Sequence, residues 1–212
     1  MITEKDTIKC EAIFDDTKTH RLYWKRVWSK DKPIVCVIML NPCLSDNIVC
    51  DTTTSLVCNN VARLESYGGV IIVNLFSILT NKLQMRWARD IDINDVENDN
   101  YIKKAADEAS IIVLAWGRGA ELNVRISNRA EQVLELLSKH QEKFRVISDG
   151  KRKAIHPLTP TCRSVWLLEP FHPEERTASQ KNSKEALAET LIPEETTNQE
   201  STAAEADESV PT

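Results

Sequence analysis

Val35-Cys36-Val37-Ile38-Met39-Leu40-Asn41-Pro42 is the stretch on which the fold turns. Six consecutive apolar residues, three of them β-branched, read as a strand buried on both faces. Proline donates nothing to a sheet ladder and holds the residue before it extended, so Pro42 marks the exit from the sheet and Asn41 its rim. Ligands of open α/β sheets bind outside the carboxyl ends of the strands. An Asn-Pro pair is also a common turn, so the reading depends on whether other strand ends converge on this one.

They recur at regular intervals. After the polar loop Cys43–Asp51, Asp51 is a good N-cap for a helix over Thr52–Tyr67, which Gly68-Gly69 is expected to end. Val70-Ile71-Ile72-Val73-Asn74-Leu75-Phe76 is a second continuous apolar strand, again with Asn at its carboxyl end. A longer connection, Ser77–Asp95, leads to a helix over Glu97–Ser110 and a third buried strand, Ile111–Gly117. Gly117 and Gly119 then frame a turn around Arg118. A helix over Asn128–His140, a short strand at Phe144–Ile147 and the His156-Pro157 turn follow, and Ser164–Leu168 is a candidate edge strand.

Alternating strands and helices predict a three-layer α/β/α domain with a mostly parallel central sheet. Ahead of it, Ile8–Phe14 and His20–Trp28 flank the turn-forming Asp15-Asp16-Thr17-Lys18 and predict an antiparallel hairpin. Arg21, Lys25 and Arg26 are expected on its solvated face. Trp116 reads as core, and His20, His140 and His172 as surface residues.

Composition bounds the function. The 212 residues carry a net charge of −5. From Pro173 onward there are ten acids and three bases, leaving 22 acids and 24 bases before them. The acidity therefore belongs to the tail. The first 172 residues are too nearly neutral to argue a nucleic-acid surface by charge alone. Residues 1–172 are expected to form one domain, and 173–212 a disordered acidic tail, because hydrophobicity collapses there. No apolar run approaches the roughly 18–20 residues that span a bilayer. The N-terminus has no signal-peptide pattern, so a cytoplasmic protein without membrane contact is expected. Six cysteines without metal-ligand spacing read as reduced thiols, and neither metal nor cofactor is expected. No GxGxxG, GxxxxGK[ST], GxSxG or HExxH is present.

The strand ends Asn41-Pro42, Asn74-Leu75 and Trp116-Gly117, with the His156-Pro157 turn, offer two amides, one imidazole and glycine turns. Such a set suits recognition of a base or sugar by directional hydrogen bonds. In the segments MLNPCLSD, DTTT, YGGVIIVNLFS, VENDN, IIVLAWGRGAE and KAIHPL the chain resembles the domain-of-unknown-function 1643 family, bacterial and phage-borne, over about residues 10–170. The order Asn-Pro, strand-terminal Asn, Trp-Gly and His-Pro-Leu is also similar to the uracil-DNA glycosylase superfamily. That resemblance implies that Asn41 orients a water, Asn74 reads a base edge, and His156 donates to a carbonyl oxygen gaining negative charge. It implies an N-glycosidase-like hydrolase acting on a nucleobase, nucleotide or nucleic acid. Asp46, the nearest acid to Asn41, joins Asn41 and His156 as a catalytic candidate. Asn74, Pro42, Gly117, Arg118 and Asp51 are the substrate-binding candidates. An amide stands at Asn41 where the most active members of that superfamily hold a carboxylate. This motivates the alternative: a non-catalytic nucleotide- or nucleic-acid-binding module using the same crevice.

Overall fold

The computed structural model describes residues 1–44, 48–85, 89–152 and 155–173. Asp46 and the acidic tail beyond Pro173 lie outside the described residues. Among the described residues seven strands form one sheet in the order β1-β2-β4-β3-β5-β6-β7. They are β1 (Lys9–Phe14), β2 (Arg21–Val27), β3 (Ile34–Met39), β4 (Gly69–Asn74), β5 (Ile111–Leu114), β6 (Phe144–Ser148) and β7 (Leu167–Pro170). The four central strands β4-β3-β5-β6 are parallel, whereas β1–β2, β2–β4 and β6–β7 pair antiparallel. The parallel expectation thus holds for the centre of the sheet, and antiparallel strands close both flanks.

Residues of each strand alternate between two apolar clusters, as the period-two pleat requires. Cys36 and Ile38 of β3, Ile71 and Val73 of β4, and Ile112 and Leu114 of β5 share a cluster with Ile102, Ala105, Ala130 and Val133. The last four belong to α3 (Asn98–Glu108) and α5 (Val124–Leu136). Val35, Val37, Val70, Ile72 and Val113 belong to the other cluster, with Val57 and Val61 of α1 (Thr52–Arg63). Two single-turn helices, α2 (Asp90–Ile93) and α4 (Gly119–Leu122), stand in the connections. Residues Met1–Pro173 form one compact unit.

The N-terminal hairpin forms as expected, but its environment differs. β2 lies inside the sheet between β1 and β4, so residues read as solvated are enclosed. Arg21 is 1 % exposed, and burial lowers its pKa against the opposing pull of Asp51, Cys43 and Cys50. The Arg26 guanidinium lies 5.0 Å from the Trp24 ring centroid, a cation–π arrangement. Lys25 pairs with Glu108 at 2.5 Å. His20 and His140 are also buried, held by the Ser77 hydroxyl at 2.8 Å and by Asp107 at 3.0 Å. His172 is exposed and Trp116 is core.

Gly68-Gly69 does not cap α1, which ends at Arg63; the left-handed residue beyond it is Glu65. The glycines serve close approach instead. A Cβ on Gly68 would stand 2.0 Å from the Ser29 carbonyl oxygen, a contact no side chain tolerates. The helix expected over Asn128–His140 begins earlier, at Val124 under an Asn123 cap, and stops at Leu136; residues Ser138–Lys143 continue as 3-10 turns.

Candidate functional site

β3 sits at the middle of the parallel strands. The chain passes from it to β4 on one side, then crosses back to β5 on the other. Connections therefore diverge at the carboxyl ends of β3 and β5, where a doubly wound sheet opens a crevice.

The β3 and β4 ends are laced together. Asn74 pairs with Met39 in the final register, and the amides of Leu75 and Phe76 donate to the carbonyls of Met39 and Leu40 at 2.9 and 3.0 Å. Beyond the ladder, Asn41 Nδ2 donates to the Thr80 carbonyl at 2.7 Å and to the Pro42 carbonyl at 3.1 Å. Pro42 is buried, and its carbonyl also accepts the Thr80 amide at 3.1 Å. Asn41 is thus a strut between two strand exits. Its Oδ1 accepts no hydrogen bond among the described residues.

Asn74 is 1 % exposed, and its Oδ1 is buried without a partner. Leaving a buried acceptor unpaired is costly, so its retention needs a reason. Its backbone is held from the other direction. Asn98 Nδ2 donates to the carbonyls of Asn74 and Leu75 at 3.1 and 3.4 Å and to Asn94 Oδ1 at 2.7 Å. Arg129 Nε donates to the Leu75 carbonyl at 2.8 Å, and its guanidinium pairs with Asp99. Asn98 and Arg129 are both buried. Neither was singled out from the sequence; the signal for Asn98 lay in the VENDN segment.

A second group forms where β5 and β6 end. Gly117 has φ +68, and a Cβ placed on it would lie 3.0 Å from His156 Cβ. His156 Nδ1 accepts the Leu158 amide hydrogen at 3.1 Å. The neutral ring must then carry its proton on Nε2. Burial lowers the His156 pKa, favouring that neutral form. Nε2–H meets no acceptor among the described residues. His156, Arg118, Glu121, Arg152, Ile155 and Thr159 line a cleft of about 560 Å³.

Asp149, at the end of β6, organises the cleft's outer loop. Its carboxylate accepts the amides of Lys151 and Arg152 at 3.1 and 2.8 Å, the Arg152 guanidinium at 2.8 Å and the Thr161 hydroxyl at 2.8 Å. Arg152, followed by these other donors, holds its pKa far below the ordinary carboxylate range. Arg118 bonds Glu121 at 2.8 Å.

The candidate residues therefore fall into two sets. Gly117, Arg118 and His156 come together at the cleft, while Asn41, Pro42 and Asn74 are grouped at the neighbouring strand ends. Neither Asn41 nor Asn74 lines the cleft. Asp51 is the α1 N-cap, accepting the amides of Thr53 and Thr54 at 2.8 and 3.1 Å and the Thr54 hydroxyl at 2.7 Å. Burial opposes its ionisation, but the Thr54 and Thr53 donors and nearby Arg21 keep its pKa low.

Chemically, the arrangement offers a neutral imidazole donor, two guanidinium groups and a buried orphan amide oxygen, with no general base assembled among the described residues. None of the six cysteines is in a disulfide. Among the described residues no group of His, Cys, Asp or Glu is placed to hold a metal ion, and no helix is long and apolar enough to cross a membrane. A family model described as protein of unknown function (DUF1643) matches residues 21–158. No curated protein and no solved structure matches the chain.

Proposed function

The chain belongs to the DUF1643 family of proteins of unknown function, and from that premise we propose that its parallel strand ends form a nucleobase- or nucleotide-binding pocket with N-glycosidase-like hydrolytic chemistry. The observation that carries this reading is His156. Its Nδ1 is occupied by the Leu158 amide at 3.1 Å, so its Nε2–H is a fixed, neutral donor. Such a donor stabilises negative charge developing on a carbonyl oxygen without reorganising during the reaction. The unpartnered Oδ1 of Asn74 lies at the neighbouring strand end, outside the lining of that cleft, and in this reading a base edge carries N–H donors that would satisfy it.

The division of helices between two apolar clusters supports a three-layer α/β/α domain over residues 1–172, similar to the uracil-DNA glycosylase superfamily. In this reading Asn41 Oδ1 orients the water, and Asp46, which follows the Asn41-Pro42 pair in the sequence, is the acid that would assist it.

Asn41 also favours the second reading, a binding module without chemistry. Its amide nitrogen is committed to the Thr80 and Pro42 carbonyls, and no carboxylate takes its place among the described residues.

One experiment serves both readings. Thermal shift with nucleosides, nucleotides and single-stranded DNA is expected to raise the melting temperature through ligand linkage, and a parallel assay follows base release. Release lost in His156→Gln supports the hydrolase. A thermal shift without release supports the binding module. An absence of both sinks the pocket.

A further inference from the structure

We infer that the ligand of the His156 cleft carries a phosphate, gripped by Arg118 and Arg152; this rests on the nucleotide reading above and specifies its chemical class. The charged lining comprises two guanidinium groups and one carboxylate, Glu121. At about 560 Å³ the cleft is in the size range of pockets for small organic ligands.

The two arginines are differently prepared. Arg152 is held in place by Asp149, which takes its Nε and one terminal nitrogen at 3.2 and 2.8 Å. Three further donors, the Lys151 and Arg152 amides and the Thr161 hydroxyl, share that carboxylate. Asp149 therefore acts as a fixed brace for the arginine. Arg118 uses only Nε, towards Glu121 at 2.8 Å. Its two terminal nitrogens meet no acceptor among the described residues. The Arg118–Glu121 pair is open to solvent, with side chains 72 % and 52 % exposed. Exposed pairs of this kind contribute little, so a phosphate, with more charge and several acceptor oxygens, can displace Glu121 and take the guanidinium fork.

The backbone adds to this. Gly117 at φ +68 is followed by Arg118 at φ −75, ψ 1, a turn conformation of the kind whose backbone N–H groups serve anions. Among the described residues the amides of Gly117 and Arg118 meet no acceptor. His156 contributes a hydrogen-bond donor while remaining uncharged, and so does not repel either guanidinium.

Titration calorimetry of the full chain tests the inference with inorganic phosphate and matched pairs of nucleosides and nucleoside 5′-monophosphates. Monophosphates should bind about ten-fold or more tighter than their nucleosides, the scale of a charge-assisted contact. Inorganic phosphate should compete with them. Arg118→Gln and Arg152→Gln should each erase most of that advantage, and Glu121→Gln should raise monophosphate affinity by removing the competitor. Because the Arg118 side chain lies in solvent, its variant tests the grip without disturbing the Asp149 loop. Equal affinity for nucleosides and monophosphates overturns the inference while leaving the nucleobase reading intact. Phosphate binding that depends on Arg118, with no gain from any nucleoside, upholds the inference and sinks the nucleobase reading. Silence from every probe overturns both.

Discussion

Gly117 and His156 are in direct backbone-to-side-chain apposition: a methyl group on the glycine would approach the histidine Cβ to 3.0 Å. The loop after β5 and the loop after β6 are thereby set against each other, and Gly117 does this at φ +68. Gly117→Ala should destabilise the protein by ~1–2 kcal/mol from the left-handed backbone alone. Crowding of His156 should weaken ligand binding beyond that global loss. Urea unfolding and calorimetry read the two effects. An alanine variant of native stability and affinity would show that the apposition is incidental.

His156 links the cleft to pH. Its folded-state pKa is lowered by burial, so the unfolded chain binds more protons over the interval between that value and about 6.5. Stability contributed by the neutral ring is present above the unfolded pKa and falls as the pH drops towards the folded one. His156→Asn keeps an acceptor for the Leu158 amide but cannot titrate. The wild type should lose more stability than this variant on acidification from pH about 8 to about 5. Parallel stability–pH curves would remove the linkage.

Asn98 holds the β4 exit by donating to two successive carbonyls, those of Asn74 and Leu75. Asn98→Ala leaves these buried acceptors short of a donor and should cost ~1–3 kcal/mol. Asn98→Asp should cost more, because a carboxylate would face the same oxygens. Chemical denaturation ranks the two. The aspartate variant unfolding no more easily than the alanine one would argue against a donor role at this position.

Much of this architecture is legible in the chain, for reasons that also explain the exceptions. Continuous apolar runs such as Val35–Leu40 read correctly because a strand buried on both faces has no polar side to obscure it. The aspartate before Thr52 read correctly because capping is local. Arg21, His20 and His140 misled because their environment is supplied by distant segments. The hairpin docks β2 on β4, Ser77 reaches His20, and Asp107 reaches His140. Gly68 misled because a glycine after a helix usually caps it, whereas here the Ser29 carbonyl demands the missing side chain. Arg152 and Asp149 were hidden by the same limit: their pairing is local, but the cleft they border exists only once β5 and β6 lie side by side.

The amide at Asn41 has a structural cause that can be tested directly. Its Nδ2 is the donor for the Thr80 carbonyl at 2.7 Å and the Pro42 carbonyl at 3.1 Å. A carboxylate there would place negative charge against two carbonyl oxygens and leave the Thr80 carbonyl without its donor, while the Pro42 carbonyl keeps only the Thr80 amide. Asn41→Asp should therefore destabilise the protein near neutral pH by ~1–3 kcal/mol. The sign of its pH dependence distinguishes this account from simple loss of packing. The introduced carboxyl would have its folded pKa raised above the unfolded value of about 3.9, since only its protonated form donates. The folded state then binds the extra proton, and the deficit should grow as the pH rises through the folded pKa and shrink towards acid. Urea unfolding from pH about 7 down to about 4 measures it. A deficit independent of pH would mean that Nδ2 is not the strut. If the strut holds, Asn41→Asp cannot convert the site into a faster catalyst by itself, because the Thr80 carbonyl must first find another donor.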